Sequence, residues 1–401
     1  MRLLILLLIL LTSNVYGKNP VIVISIDGFA YDYLTRFKPK HLSNLITKGV
    51  SSKGLLPVFP SKTFPNHLTI ATGVYPANHG IVHNKFYHRG LKKTYALGDG
   101  KNNHAWLTAK PIWTLAEQHG ITSAIYFWPE SEAKIEQQLP SYYFPYNSHT
   151  SDQTKTAQII KWLQLPASQR PGLILSYFST IDSIGHRYGV HSEQLAQAVS
   201  QIDALIGQLV IDIQTKTKVT PNIVLVSDHG MIDINEGSQI NRNRLLKPFP
   251  DLHVINGQTQ LYIYDDNAKR LNDVRSHLSQ HRQAHLYDVY QQGQFPEHWH
   301  FNQQNNVVPD MIINAKAPAT FVEKFSYTGA ATHGFDVKEN DAMKAIFIAF
   351  GPDIKQGLSI EPLSNTQVFP FLSLLLQLPQ AQKIAKEQAL LASFLNKSIT
   401  N

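Results

Sequence analysis

The 401-residue chain contains no cysteine, which excludes disulfides, thiolate metal ligands and lipid attachment to cysteine. Any metal must then be held by His, Asp or Glu. Beyond residue 20 no apolar run approaches the roughly 18 residues of a spanning helix, so no transmembrane anchor is expected. The one long apolar run, residues 3–11 of "MRLLILLLILLTSNVYG", follows a single arginine and ends in small and polar residues. That is the pattern of a secretory signal peptide, expected over residues 1–17, and it implies a periplasmic or secreted protein. Blocks of consecutive Lys or Arg are missing as well. The formal charge of +7 and the pI near 9.2 therefore mark no nucleic-acid patch, and no stable nucleic-acid partner is expected. Internal repeats and low-complexity tracts are absent, and nothing in the chain indicates an oligomeric state.

What is present is the material of a large α/β unit, 43% hydrophobic. Five short, nearly all-apolar runs recur at long spacing: "VIVISID" (21–27), "SAIYFW" (123–128), "LILSYFS" (173–179), "NIVLVSD" (222–228) and "AIFIAFG" (345–351). Strands covered on both faces look like this. Helical patterns lie between them, among them "PIWTLAEQHG", opened by Pro and closed by Gly, and "SEQLAQAVSQIDALIGQLVIDIQ" behind a capping Ser192. The alternation predicts a mostly parallel sheet with helices on both faces. Residues 235–330 break the rhythm with a hairpin-like "HVINGQTQLYIYDD", a helix near "NAKRLNDVRSHLSQ" and an aromatic "FPEHWHF". They read as an insertion over one end of the sheet within one catalytic domain spanning 18–401.

Three of the strands deliver acidic residues to the carboxyl edge, where open α/β sheets bind ligands. Asp27 ends "VIVISIDG"; "LSYFSTIDSIGH" carries Asp182 with His186 four residues on; "VLVSDHG" carries Asp228 and His229; and "YTGAATHGFD" adds His333. Singly, each has a bland explanation as a turn, cap or loop residue. Together they make two sets of oxygen and nitrogen ligands suited to Zn²⁺, and a pair of such ions is the usual device for phosphoryl transfer. Two Zn²⁺ against three carboxylates leave one formal positive charge, which matches the single negative charge of a phosphodiester.

The segment "LPVFPSKTFPNHLTIATGVYPANHGIVHN" (56–84) packs four prolines and three histidines around Thr63. Thr63 stands where a helix would start, and as an N-cap its hydroxyl would need no further role. The same place puts it beside unpaired backbone N–H groups that favour an anion, and beside a metal its hydroxyl ionises far more easily. Prolines would stiffen the loop that aims it. Asn84 offers an amide donor for a phosphate oxygen, whereas His67, His79 and His83 read as structural.

The blocks "FPSKTFPNHLTIATGVYPANHGIVHN", "DSIGHRYG", "VSDHGM" and "THGFDVKENDAMKAIFIAFGP", followed by "NTQVFPFLSLLLQLP", resemble the signature blocks of the nucleotide pyrophosphatase/phosphodiesterase family of the alkaline phosphatase superfamily. The resemblance runs in order from about residue 20 to about 376 and implies an alkaline-phosphatase-like sheet. It implies Thr63 as nucleophile, one zinc held by Asp182, His186 and His333, and a second held by Asp27, Asp228, His229 and the Thr63 oxygen. Asn84 and the Phe64 backbone N–H would stabilise phosphate, and Phe64 and Tyr177 match aromatic positions that sandwich a nucleobase. One departure is "STI" at 179–181, where vertebrate members tend to carry "EEP"; it spares the ligands and leaves the leaving-group preference open.

A small-molecule phosphodiester of nucleotide type is thus the expected substrate, hydrolysed through a phosphothreonine-type intermediate. A choline-type headgroup phosphodiesterase is the nearer alternative, with Trp106, Trp128 and Trp299 available for a cation–π cage. A phosphate monoesterase would be expected to add a third metal or an arginine clamp on the extra charge. A non-catalytic binding protein is the remaining class. Mn²⁺ or Co²⁺ would suit the same ligands, although mixed Asp and His sets lean to zinc.

Overall fold

The computed structural model describes residues 19–302, 305–323, 329–379 and 385–396. The signal peptide expected over 1–17 lies outside the described residues. The chain builds β1 (Val21–Ile26), β2 (Gly49–Ser52), β3 (Ser123–Tyr126), β4 (Tyr142–Phe144), β5 (Leu173–Phe178) and β6 (Asn222–Val226). It then leaves the sheet to form β7 (His253–Asn256), β8 (Gln260–Tyr264), β9 (Tyr287–Gln291) and β10 (Met311–Ala315), and returns with β11 (Phe347–Phe350) and β12 (Leu358–Ile360). The central sheet has the order β12-β2-β11-β6-β1-β5-β3-β4. All five apolar runs of the sequence lie in it. Four are mutually parallel, and the fifth, β11, runs antiparallel to β6 and β2. The reason is the route of the chain: the connection carrying His333 ends at the carboxyl edge, so the strand after it starts beside Val226 and runs back.

Helices named here are, in chain order, α1 (Lys40–Thr47), α2 (Thr63–Thr72), α3 (Ile112–Gln118), α4 (Asp152–Leu163), α5 (Thr180–Tyr188), α6 (Glu193–Lys216), α7 (Ala268–Gln280) and α8 (Val368–Leu375). Because side chains alternate across a strand, Ile22, Ile24 and Ile26 of β1 pack with α1, α4, α5 and α6, while Val21 and Val23 pack with α2, α3 and α8. That two-sided burial is why these strands show no polar alternation.

The inserted segment folds as a four-stranded antiparallel sheet, β7-β8-β10-β9. Leu261, Ile263, Met311 and Ile313 face α7. The opposite face, with Ile255, Tyr262, Tyr264 and Ile312, packs on Phe59, Leu68, Phe86 and Trp106, around and beyond Thr63. Short strands Gln239–Asn241 and Thr320–Val322 pair in parallel and close the lobe at its base. Buried Asp336 accepts from Trp299 Nε1 at 2.7 Å, fixing a ring that stacks on Phe59 at 3.6 Å. The lobe therefore braces the segment that carries the nucleophile candidate.

Helix ends are satisfied in two ways. Ser151 and Ser192 cap their own helices, α4 and α6, by accepting from Thr154 N and Leu195 N. Helix α1 follows Pro39 and has no side-chain cap of its own; buried Asp203 of α6 accepts instead from His41 N (3.0 Å) and Leu42 N (2.7 Å). Asp203→Ala strips both acceptors and should lower the unfolding free energy by about 2 kcal/mol in chemical denaturation; an unchanged midpoint would show that α1 holds without this cap.

Candidate active site

Parallel register brings the carboxylates together. Ser25 lies opposite Val226, Ile26 lies opposite Phe178, and the Asp27 N–H extends the ladder to the Phe178 carbonyl at 2.9 Å. Asp27, Asp228 and the start of α5 thus leave three neighbouring strands at one edge. The turn after Asp27 needs glycine: Gly28 has φ +71, and a Cβ there would sit 3.0 Å from Asp182 Cα. Its N–H donates to Asp228 Oδ1 at 3.2 Å.

Donor atoms of Asp27, Asp228 and His229 lie within 4.8 Å of one another, and so do those of Asp182, His229 and His333. His229 therefore belongs to both groups, its ring stacked on His333 at 3.5 Å. His186 stands beside the second group, with Nε2 at 3.3 Å from Asp182 Oδ1 and its ring 5.1 Å from that of His333. Thr63 Oγ1 is 3.4 Å from His229 Nε2. Thr63 is the first residue of α2, not its cap; the cap position is Lys62, which makes no side-chain cap bond. The alternative in which the hydroxyl merely caps the helix is therefore not what the structure has. The Phe64 N–H donates to Asn84 Oδ1 at 3.0 Å, so the paired phosphate-stabilising candidates touch each other.

These residues suit divalent cations on two observations. First, Asp27 Oδ1, Asp182 Oδ1 and Asp228 Oδ2 are all buried with no hydrogen-bond partner. Leaving such atoms unpaired is costly unless a cation satisfies them. Second, the Nδ1 atoms of His186, His229 and His333 face backbone carbonyls of Ala331 (2.8 Å), Gly230 (3.0 Å) and Ser61 (2.7 Å). A carbonyl only accepts, so Nδ1 carries a proton and Nε2 is the nitrogen left to meet a cation, the arrangement found behind metal-ligating histidines.

Electrostatics within the protein point the same way. Burial, then the charges of Asp228 and Asp182, push Asp27 well above the ordinary carboxylate range. Burial acts likewise on Asp228, but the His229 and His67 rings outweigh it and hold that carboxyl well down. Burial and the neighbouring His229 and Lys62 hold His333 well below the usual imidazole range, hence neutral. Burial opposes charge on His186, yet Asp182 beside it raises that ring.

The group opens into a cavity of about 440 Å³ whose wall includes Thr63, Phe64, Asn84, Leu97, Lys101, Trp128, Tyr146 and Tyr177. Tyr177 donates its hydroxyl to Asp27 Oδ2, which ties it beneath the carboxylates. Tyr146 and Leu97, 57% and 56% exposed, supply the free apolar faces at the mouth. Of the three tryptophans considered for a cage, only Trp128 reaches the cavity. Trp106 and Trp299 are core residues of the lobe contact, so the expected cage is not built from them.

Sequence reasoning passed over several residues that the fold puts at the site. Buried Lys62 donates to the His333 carbonyl at 2.7 Å, and burial lowers its amine to about 7, against the pull of Asp182. His67, read as structural from the sequence, lies one helical turn after Thr63, with Nδ1 2.8 Å from the Thr63 carbonyl and 3.4 Å from Asp228 Oδ2. Glu130 is buried in the cavity wall with φ +62 and bonds to Tyr95, and burial raises its carboxyl to about 7. His79 and His83 are buried, each lowered to about 3 by burial, in keeping with structural roles.

A profile of the type I phosphodiesterase / nucleotide pyrophosphatase family matches residues 21–336. The chain is 32% identical over 380 residues to ectonucleotide pyrophosphatase/phosphodiesterase family member 3 of Bos taurus, covering 91% of this chain and 43% of that protein. Human ectonucleotide pyrophosphatase/phosphodiesterase 5 superposes with a TM-score of 0.84 at 29% identity, over 94% of this chain and all of that one. The murine counterpart, solved as an inactive threonine-to-alanine variant in complex with AMP, gives 0.82 at 27% identity, over 94% of this chain and 100% of that one. With that profile spanning most of the chain and its fold shared with these solved structures, the chain belongs to the type I phosphodiesterase/nucleotide pyrophosphatase family.

Proposed function

We propose that the protein is an exported two-zinc phosphodiesterase that hydrolyses nucleotide phosphodiester or pyrophosphate bonds through a phosphothreonine intermediate. The observation that carries this reading is the set of three buried, unpartnered carboxylate oxygens and three Nδ1-anchored imidazoles around the Thr63 hydroxyl, at the floor of the cavity. Asp182, His186 and His333 would hold one zinc; Asp27, Asp228, His229 and the Thr63 oxygen would hold the other. When bound, the ions would offset the buried negative charge, favour the ionised form of the threonine hydroxyl and polarise phosphoryl oxygens. The apolar run at 3–11 supports export, and among the described residues no helix is long and apolar enough to cross a membrane.

Thr63 Oγ attacks phosphorus as the first helical residue of α2, where the positive end of the helix dipole favours an incoming anion. The P–O bond to the leaving group breaks as the Thr63–phosphorus bond forms, and water then attacks phosphorus, returning the hydroxyl. Asn84, held through Oδ1 by the Phe64 N–H, turns its amide nitrogen toward phosphate. Phe64 would flank a base together with Tyr146 in place of the Tyr177 expected from the sequence, because the Tyr177 hydroxyl is tied to Asp27. The wall supplies Lys101 and no arginine, which suits a singly charged diester better than a monoester dianion.

Thr63→Ala should reduce kcat by several orders of magnitude while zinc content stays within error of the native protein, measured by elemental analysis; a fully active variant would refute the assignment. On the zinc-reconstituted enzyme, a nitrophenyl nucleotide diester should exceed both nitrophenyl phosphocholine and nitrophenyl phosphate by tenfold or more in kcat/KM, about 1.4 kcal/mol. Phosphocholine in the lead would keep the chemistry and reassign the pocket, and no turnover of any ester would leave a binding protein.

A further inference from the structure

Helix α5, which carries Asp182 and His186, starts without a cap of its own: Ser179 makes no side-chain cap bond. Its start is held from α4. Thr180 Oγ1 donates to Asp152 Oδ2 at 2.5 Å. The other oxygen, Oδ1, is paired with Lys155 Nζ at 2.8 Å, and the two side chains are only 6% and 3% exposed. Lys155 Nζ also donates to the Tyr177 carbonyl at 2.9 Å and lies 5.5 Å from the rings of Phe127 and Phe178. Tyr177 in turn donates its hydroxyl to Asp27.

One buried ion pair thus grips both sides of the turn from β5 to α5. Through Thr180 it stands two residues before Asp182, and through Tyr177 it stands behind Asp27. Burying such a pair contributes little net stability, because desolvation of both charges offsets their attraction. Its effect therefore lies in what it fixes. A partner that orients a ligating carboxylate typically changes metal affinity by 10–100-fold when removed.

We propose that the buried Asp152–Lys155 pair, acting through Thr180 and the Tyr177 carbonyl, is a positioning device for the carboxylates Asp182 and Asp27. The inference rests on the reading of those carboxylates as metal ligands. It also gives a physical consequence to the "STI" departure at 179–181: Thr180 is the hydroxyl donor that Asp152 accepts.

The test is zinc binding by the full chain, followed by competition with a chromophoric chelator and by the visible spectrum of the Co²⁺-substituted protein. Thr180→Val removes the donor while keeping shape. It should weaken one of two zinc ions by about tenfold or more and alter the cobalt spectrum, while the zinc-free protein still folds; Thr180→Ser should restore both. Zinc affinities within about threefold of wild type and an unaltered cobalt spectrum would overturn the proposal. Should Thr180→Val fail to fold, the double variant Asp152→Asn/Lys155→Met decides by the same criteria. It removes both charges at once, which buried pairs tolerate, and by withdrawing the donor from the Tyr177 carbonyl it should weaken zinc binding too. A wild-type chain that takes up no divalent metal would sink the metal-site reading and this inference together, whereas a two-zinc wild type with an unchanged variant sinks the inference alone.

Discussion

The crowding of three aspartates at one edge of a parallel sheet governs the rest of the molecule. Asp27 and Asp228 are 1% exposed, and each of the three aspartates holds a buried oxygen without a hydrogen-bond partner, faced by imidazole nitrogens at 3.0–3.6 Å. Left to themselves such charges repel, and burial first, then the charges of Asp228 and Asp182, raise the Asp27 carboxyl. The surrounding architecture works against that repulsion. Parallel strands fix the backbone positions, Gly28 lets the first turn come against Asp182, and carbonyls of three separate segments set the imidazoles. A site of this kind trades folding stability for charge complementarity to cations and then to a phosphate ester.

The inserted lobe belongs to the same logic. It has its own helix on one face, yet its other face needs Phe59, Phe86 and Trp106 from the main body to bury its aromatics. Its closing segment then runs back through His333, whose carbonyl takes Lys62 and whose ring is held by Ser61. Residues on both sides of the lobe contact therefore meet at the nucleophile candidate. A shift of the lobe would move His333 and Lys62 together, so lobe packing and ligand geometry are one property.

Much of this was legible in the sequence because strands covered on both faces cannot hide: the five apolar runs are all in the central sheet, and the acids at their ends follow from parallel register. The direction of β11 was not legible, since periodicity carries no sign; only the route of the chain through His333 sets it. Lys62 and Glu130 escaped because a single buried polar residue leaves no pattern, and its partners lie far off in sequence, as with Lys62 and His333. The aromatic assignments show the same limit. Tyr177 and Trp299 are both aromatic in a promising context, but one serves a carboxylate and the other a stack with Phe59.

Helix termini separate structural from chemical roles. Helices α4 and α6 cap themselves with serine, and α1 borrows Asp203. Helix α2 also borrows an acceptor, Asn84, whose Oδ1 takes the Phe64 N–H at 3.0 Å, while Lys62 at its cap turns its amine away to the His333 carbonyl. Pro65, the third residue of α2, has no N–H to satisfy, and the Asn66 N–H already reaches the Lys62 carbonyl at 3.1 Å. The first turn of α2 is thus held by the same Asn84 that faces the cavity beside Thr63. A phosphate oxygen arriving there would compete with Asn84 Oδ1 for the Phe64 N–H while the Asn84 amide nitrogen stays available as a donor, so the residue that caps the helix is also placed to share its donor with the anion.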